Sequence, residues 1–165
     1  MPPIFCQENN MKISKNFTLK ELKRTECRIP NNPDDRALVN IVAGTHKILQ
    51  PCRDYFGLVR VTSAYRCPDV NQAIGGSKTS DHCAVGTSSA FDFEIASEEI
   101  SNLQLAEWIS ENLIFKQLIL EYYDPSEGPN SGWVHCSYDV TGENRMEKLT
   151  KKKGVKKYLP GFVVD

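Results

Sequence analysis

Histidine is scarce in this chain: 165 residues contain three, at His46, His82 and His135. The six cysteines (Cys6, Cys27, Cys52, Cys67, Cys83 and Cys136) include no CxxC pair, which argues against a zinc ribbon. No apolar run is long enough to cross a bilayer, and no membrane partner is expected. The opening MPPIFCQENNMK has neither the charged start nor the apolar segment of a secretory signal. Synthesis in a cytoplasm without an export signal is therefore expected, with reduced, structural thiols. Charge of one sign is also missing in bulk. Lys+Arg number 20 against 21 Asp+Glu, a net charge of -1 that gives no pointer to nucleic acid.

The composition that remains, 40% hydrophobic and 25% charged, is that of one soluble domain, and a monomer is expected. Residues 1–15 read as an irregular lead-in and 16–146 as the domain. Residues 147–165, containing EKLTKKKGVKKYLPGF, read as a basic tail. Its simplest meaning is a solvated surface, with weak attraction to an anionic polymer as the alternative.

Thr18 and Glu21 in NFTLKEL have the spacing of a helix start. In DDRALVNIVAGTHKILQPCRDYFG, Leu38, Ile41, Val42, Thr45, Ile48 and Leu49 form one stripe of an amphipathic helix. Pro51 should interrupt or kink that helix, and Gly57 should close it. LVRVTSAY, AFDFEI, FKQLILEYY and SGWVHCSYDV read as strands, the last two as a hairpin around DPSEGPN. SEEISNLQLAEWISEN is a helix with its own serine cap. The expected fold is α+β, a small and mostly antiparallel sheet with flanking helices.

Strand alternation turns Phe91, Phe93 and Ile95 one way and Asp92 and Glu94 the other. By the same rule His135 shares a face with Trp133 and Ser137, and Glu121 with Ile119 and Tyr123. An acid between two phenylalanines needs a partner, because a buried unpaired carboxylate costs several kcal/mol or loses its charge. If these strands share a sheet, His135, Asp92 and Glu121 project from one side, with His82 arriving from a loop. Two imidazoles and a carboxylate are three donors of the kind catalytic zinc takes, with a fourth position left for water. Other readings stay open at this point: Asp92 paired with Arg66 and no metal, and Glu121 as a surface residue at a strand end. His46 fits a satisfied polar residue on a helix face and is left out.

VTSAYRCPDVNQAIGGSKTSDH, followed by Gly86 and Ala90-Phe91-Asp92, resembles the zinc D-alanyl-D-alanine carboxypeptidase and L-alanyl-D-glutamate endopeptidase family, which includes vancomycin-resistance D,D-peptidases and phage endolysins. Ser63, Tyr65, Arg66, Asn71, Gly75, Gly76, Ser77, Ser80 and His82 carry the likeness, and GWVHCSY is similar to the family's third-ligand strand. ILEYY and WVHCSY together also resemble the zinc-bearing hedgehog signalling domain. The resemblance covers about residues 16 to 140. It implies a zinc ion on His82, Asp92 and His135, Glu121 as general base, and Arg66 as a cationic group at the substrate. Ser63, Tyr65, Ser80 and Trp133 join Arg66 as substrate-binding positions. The implied activity is cleavage of peptidoglycan stem peptides at the bacterial cell wall, as a phage lysin. The alternative is a zinc-stabilised binding module with impaired catalysis.

Two departures stand out. The spacer between histidine and aspartate is longer here, nine residues (CAVGTSSAF), with the extra length expected in a flexible GTSS loop. The acid usually found shortly before the last histidine is replaced by Gly132. Cys83 and Cys136, beside two proposed ligands, are expected as packing groups.

Overall fold

Two faces of one sheet organise this chain, one packed under helices and one open to a cleft. The computed structural model describes residues 11–164. The helices are α1 (Leu19–Leu22), α2 (Asp35–Gly44), α3 (Gln50–Phe56), α4 (Pro68–Ala73) and α5 (Asn102–Asn112). The strands are β1 (Val59–Ser63), β2 (Ser88–Ile95), β3 (Gln117–Glu121), β4 (Trp133–Asp139), β5 (Glu147–Lys151) and β6 (Leu159–Pro160). They form one six-stranded sheet in the order β1-β2-β4-β3-β5-β6. Only β3 and β5 run parallel, so the fold is the expected α+β, mostly antiparallel one. No described helix is long and apolar enough to cross a membrane.

Local chemistry sets the helix ends. Thr18 caps α1 by accepting from the Glu21 amide, and Asp34 caps α2 by accepting from the Ala37 amide. Ser101 and Gln104 form a reciprocal capping box on α5. The long helix is not broken at Pro51. A π-helical turn, Thr45–Leu49, links α2 to α3 and puts Pro51 in the first turn of α3, where its missing N–H costs little. His46 lies in that turn, with Nε2 2.9 Å from the Ile13 carbonyl oxygen.

β2 is the spine, buried along all eight residues. Phe91, Phe93 and Ile95 join Ile41, Ile48, Leu105, Ile109 and Phe115 in the core beneath the helices. Gly44 allows α2 to lie directly on β2, since a Cβ there would run into Ser89 Oγ and the Phe91 ring. Cys136 lies in the same core, on the face opposite His135, as alternation requires.

Two expectations change. GTSS is not a loose loop: Ser88 and Ser89 are buried members of β2. Their hydroxyls are satisfied there, Ser88 by the Asp139 carboxylate at 2.9 Å and Ser89 by the Asn40 carbonyl at 2.8 Å. The basic stretch read as a tail supplies β5 and β6. Its backbone pairs with β3, a pairing that charge content alone did not reveal. At the other end, Lys12 pairs with Thr18 and Ile13 is buried. Cys6 and most of the expected lead-in lie outside the described residues. Among the described residues Cys27, Cys52, Cys67, Cys83 and Cys136 are free thiols.

Candidate metal centre and cleft

Register across the sheet brings the chemistry together. Asp92 of β2 faces His135 of β4, His135 faces Ile119 of β3, and Ile119 faces Leu149 of β5. One row of the open face therefore runs Asp92, His135, Ile119, Leu149. The neighbouring row holds Trp133, Glu121 and Lys151. A register irregularity between Val61 and Ser63 on β1 brings Ser63 opposite Asp92.

His82 reaches this row from a short 3-10 turn, Asp81–Cys83, capped by Ser80 through the His82 amide. Two further contacts fix the turn. The Arg66 amide donates to the His82 carbonyl at 3.0 Å. His82 Nδ1 lies 2.6 Å from the Ala64 carbonyl oxygen. A carbonyl can only accept, so Nδ1 carries the proton and the Nε2 lone pair faces the cleft. This is the tautomer and orientation that an outer hydrogen bond imposes on a metal-binding histidine.

Three donor atoms then converge. His135 Nδ1 lies 2.8 Å from Asp92 Oδ1, His82 Nε2 lies 3.3 Å from the same oxygen, and the two histidine nitrogens are 3.2 Å apart. A tetrahedral zinc with bonds of about 2.0–2.1 Å separates its ligands by about 3.3–3.4 Å, so the residues fit such an ion. The second carboxylate oxygen, Oδ2, accepts from Arg66 Nη2 at 3.1 Å, and Arg66 Nε donates to Ser63 Oγ at 3.0 Å. Ser63, Arg66 and Asp92 thus form a chain that aims Oδ1 at the two imidazoles. The Asp92–Arg66 pair read as an alternative to a metal site is present together with the three-donor cluster.

Electrostatics follow from burial and contact. Burial opposes the charge on Asp92, but the two histidines outweigh it and hold the carboxyl well below the usual range. Burial lowers His82. Burial opposes protonation of His135 too, yet the hydrogen bond and charge of Asp92 raise it. Glu121 is raised, first by burial and then by the Asp92 charge.

The cluster opens into a cleft of about 560 Å³ whose walls include Arg66, Ser80, Glu121 and Trp133. The buried indole nitrogen of Trp133 has no hydrogen-bond partner among the described residues. Ser63 and Tyr65, expected as substrate contacts, do not line the cleft. Ser63 holds Arg66, and Tyr65 is a core residue whose hydroxyl donates to the Asn32 carbonyl at 3.4 Å. Gly132, at the position where an acid was expected, has φ 63°, and a Cβ there would meet the carbonyl oxygen of Glu121 and the backbone of Tyr122. No side chain fits, so the carboxylate near the cluster comes from β3, as Glu121. Leu149 and Tyr158 also line the cleft and went unnoticed in the sequence. Only the parallel pairing of β5 brings them there, and nothing local signals it.

Three nitrogen and oxygen donors with an open side and a nearby carboxylate form the arrangement of a metal-dependent hydrolase. Residues 15–137 match the model of the Peptidase M15 family, and the chain belongs to that family. It is a hydrolase of the peptidase class from a typically zinc-dependent family, and its His82-Asp92-His135 cluster can hold a metal. A search of curated proteins found no match.

Proposed function

We propose that this protein is a zinc-dependent peptidase that cleaves peptidoglycan stem peptides, of the D-Ala-D-Ala carboxypeptidase or L-Ala-D-Glu endopeptidase type, acting on the bacterial wall as a phage-type lysin. The observation that carries the reading is the convergence of His82 Nε2, Asp92 Oδ1 and His135 Nδ1 at 2.8–3.3 Å on the floor of an open cleft. Those three residues would hold the ion. A zinc ion held there would supply Lewis acidity toward a scissile carbonyl and toward the attacking water.

The remaining roles belong to side chains. Glu121, as a carboxylate, takes the proton of the attacking water and delivers it to the nitrogen of the breaking peptide bond, so that the amine leaves neutral. Arg66 uses Nε and Nη2 to position Asp92, and its Nη1 makes no hydrogen bond among the described residues. That N–H fork suits a substrate carboxylate or a developing oxyanion. Trp133 offers an apolar wall.

The test is direct. Zinc-loaded protein incubated with purified cell walls is expected to release free amines, and mass spectrometry of the products names the bond cut. Zinc bound stoichiometrically with no amine release would defeat the enzymatic reading. A zinc-stabilised binding module is the second reading, favoured by Gly132 at the usual acid position. It predicts stem-peptide binding without turnover, and equal behaviour of Glu121→Gln and the wild type.

A further inference from the structure

The matched family region ends at residue 137, yet the cleft is closed on one side by residues beyond it. β5 carries Leu149 and Lys151 onto the open face, level with Ile119 and Glu121. The chain then turns around Lys151, whose Nζ donates to the carbonyls of Val155 and Lys156 at 2.7 and 2.8 Å. This places the Tyr158 ring with its centroid 5.0 Å from the same Nζ. β6 anchors the far side through the Thr150–Leu159 pair and the bond from Thr150 Oγ1 to the Gly161 carbonyl at 2.7 Å. Tyr158 is thus held from both ends while remaining 50% exposed and lining the cleft.

Its hydroxyl makes no hydrogen bond to another described residue. Burial, then the charges of Glu121, Tyr122 and Asp92, push the phenol up. As a phenol it is protonated, and so a donor, at neutral pH, and it lines the same cleft as Glu121 and Asp92. The charged group in direct contact with its ring is the Lys151 ammonium from β5. Arg66, the donor for an anionic group, stands on the β1–β2 side, so the two donors flank the metal centre.

We propose that Tyr158 is a substrate-contacting residue whose hydroxyl donates a hydrogen bond to a backbone carbonyl of a peptide lying between the His82–Asp92–His135 centre and the β5–β6 wall. This rests on the peptidase reading. A neutral hydrogen bond made in both the bound substrate and the transition state acts on KM rather than kcat.

The experiment compares zinc-loaded wild type, Tyr158→Phe and Tyr158→Leu on the stem peptide L-Ala-D-Glu-L-Lys-D-Ala-D-Ala, after checking that zinc content and melting temperature match. Tyr158→Phe is expected to raise KM about tenfold with kcat within about twofold, since a neutral hydrogen bond is worth roughly one factor of ten. Tyr158→Leu removes ring and hydroxyl together and guards against a folding defect specific to the Phe variant. A KM unchanged in Tyr158→Phe overturns the proposal, including the case where only Tyr158→Leu is impaired, which would assign the ring to packing. If the wild type cleaves nothing, the peptidase reading fails by itself and calorimetric titration of the same peptide decides. Weaker binding by Tyr158→Phe sustains the contact, and equal binding or none by the wild type overturns it.

Discussion

Replacing Glu121 with Gln separates chemistry from stability more sharply than any other change in this cleft. The substitution keeps the shape and removes the charge. Glu121 sits two residues along β3 from Ile119, the neighbour of His135, with its carboxyl raised from 4.5 by burial and by the Asp92 charge. Loss of a positioned general base costs about 10²- to 10⁴-fold in rate, or about 3–5 kcal/mol of barrier. The expectation is a kcat lower by about 10³-fold, with zinc content unchanged because Glu121 lies outside the three-donor cluster. Stability should move the other way. A carboxyl raised in the folded state binds its proton more tightly there than in the unfolded chain. The fold therefore loses stability as pH rises from the unfolded value, 4.5, through the raised folded one. Gln removes that loss, so metal-free Glu121→Gln should melt higher than wild type at pH 7 and equally at pH 4. Stem-peptide hydrolysis and thermal melts at the two pH values read both effects. A variant that retains wild-type kcat would refute the assignment of the base, and one that melts lower at pH 7 would refute the electrostatic account.

Other outcomes follow from the same geometry. Asp92→Asn and His82→Ala should each reduce bound zinc from one equivalent to a trace, read by metal analysis after dialysis. A chelator should abolish wild-type activity, with zinc restoring it. Zinc at 1,000 times its Kd should stabilise the wild type by about 4 kcal/mol and leave these variants unmoved, checked by urea unfolding. Gly132→Ala should cost at least about 2 kcal/mol in the same assay, because a left-handed backbone and a Cβ against the Glu121 carbonyl act together. Asp139 accepts from Thr87, Ser88 and Thr141, and those bonds hold its carboxyl below the usual range against a burial effect that raises it. Its contribution is present above the unfolded value, 3.8, and is lost as pH falls through the lower folded one. Asp139→Asn should therefore cost about 2 kcal/mol at pH 7 and progressively less in strong acid, measured by denaturant titration.

Alternation in AFDFEI and WVHCSY was enough to assign Phe91 and Phe93 to the core and to turn Asp92 and His135 toward a common side, because side-chain direction along a strand is a local, period-two property. The helix start at Thr18 was readable for the same reason, since a cap is satisfied within three residues, whereas Asp34 as the cap of α2 was not picked out. Pro51 misled in a specific way. Its effect depends on whether the preceding turn can widen, and a π-helical turn at Thr45–Leu49 did so. Ser63 and Tyr65 were picked out by resemblance, yet one holds Arg66 and the other fills the core.

Residue type and spacing alone determined which groups this protein has for chemistry, two imidazoles and buried or half-buried acids, and which face of its strand each occupies. Only the assembled sheet decided that Asp92, His135, Ile119 and Leu149 share one row, that a lysine-rich stretch forms a wall of the cleft, and that position 132 has no room for an acid. The physical reason is that face is set by neighbours in the chain. Register, parallel pairing and steric room arise between segments far apart in sequence, so no local pattern encodes them.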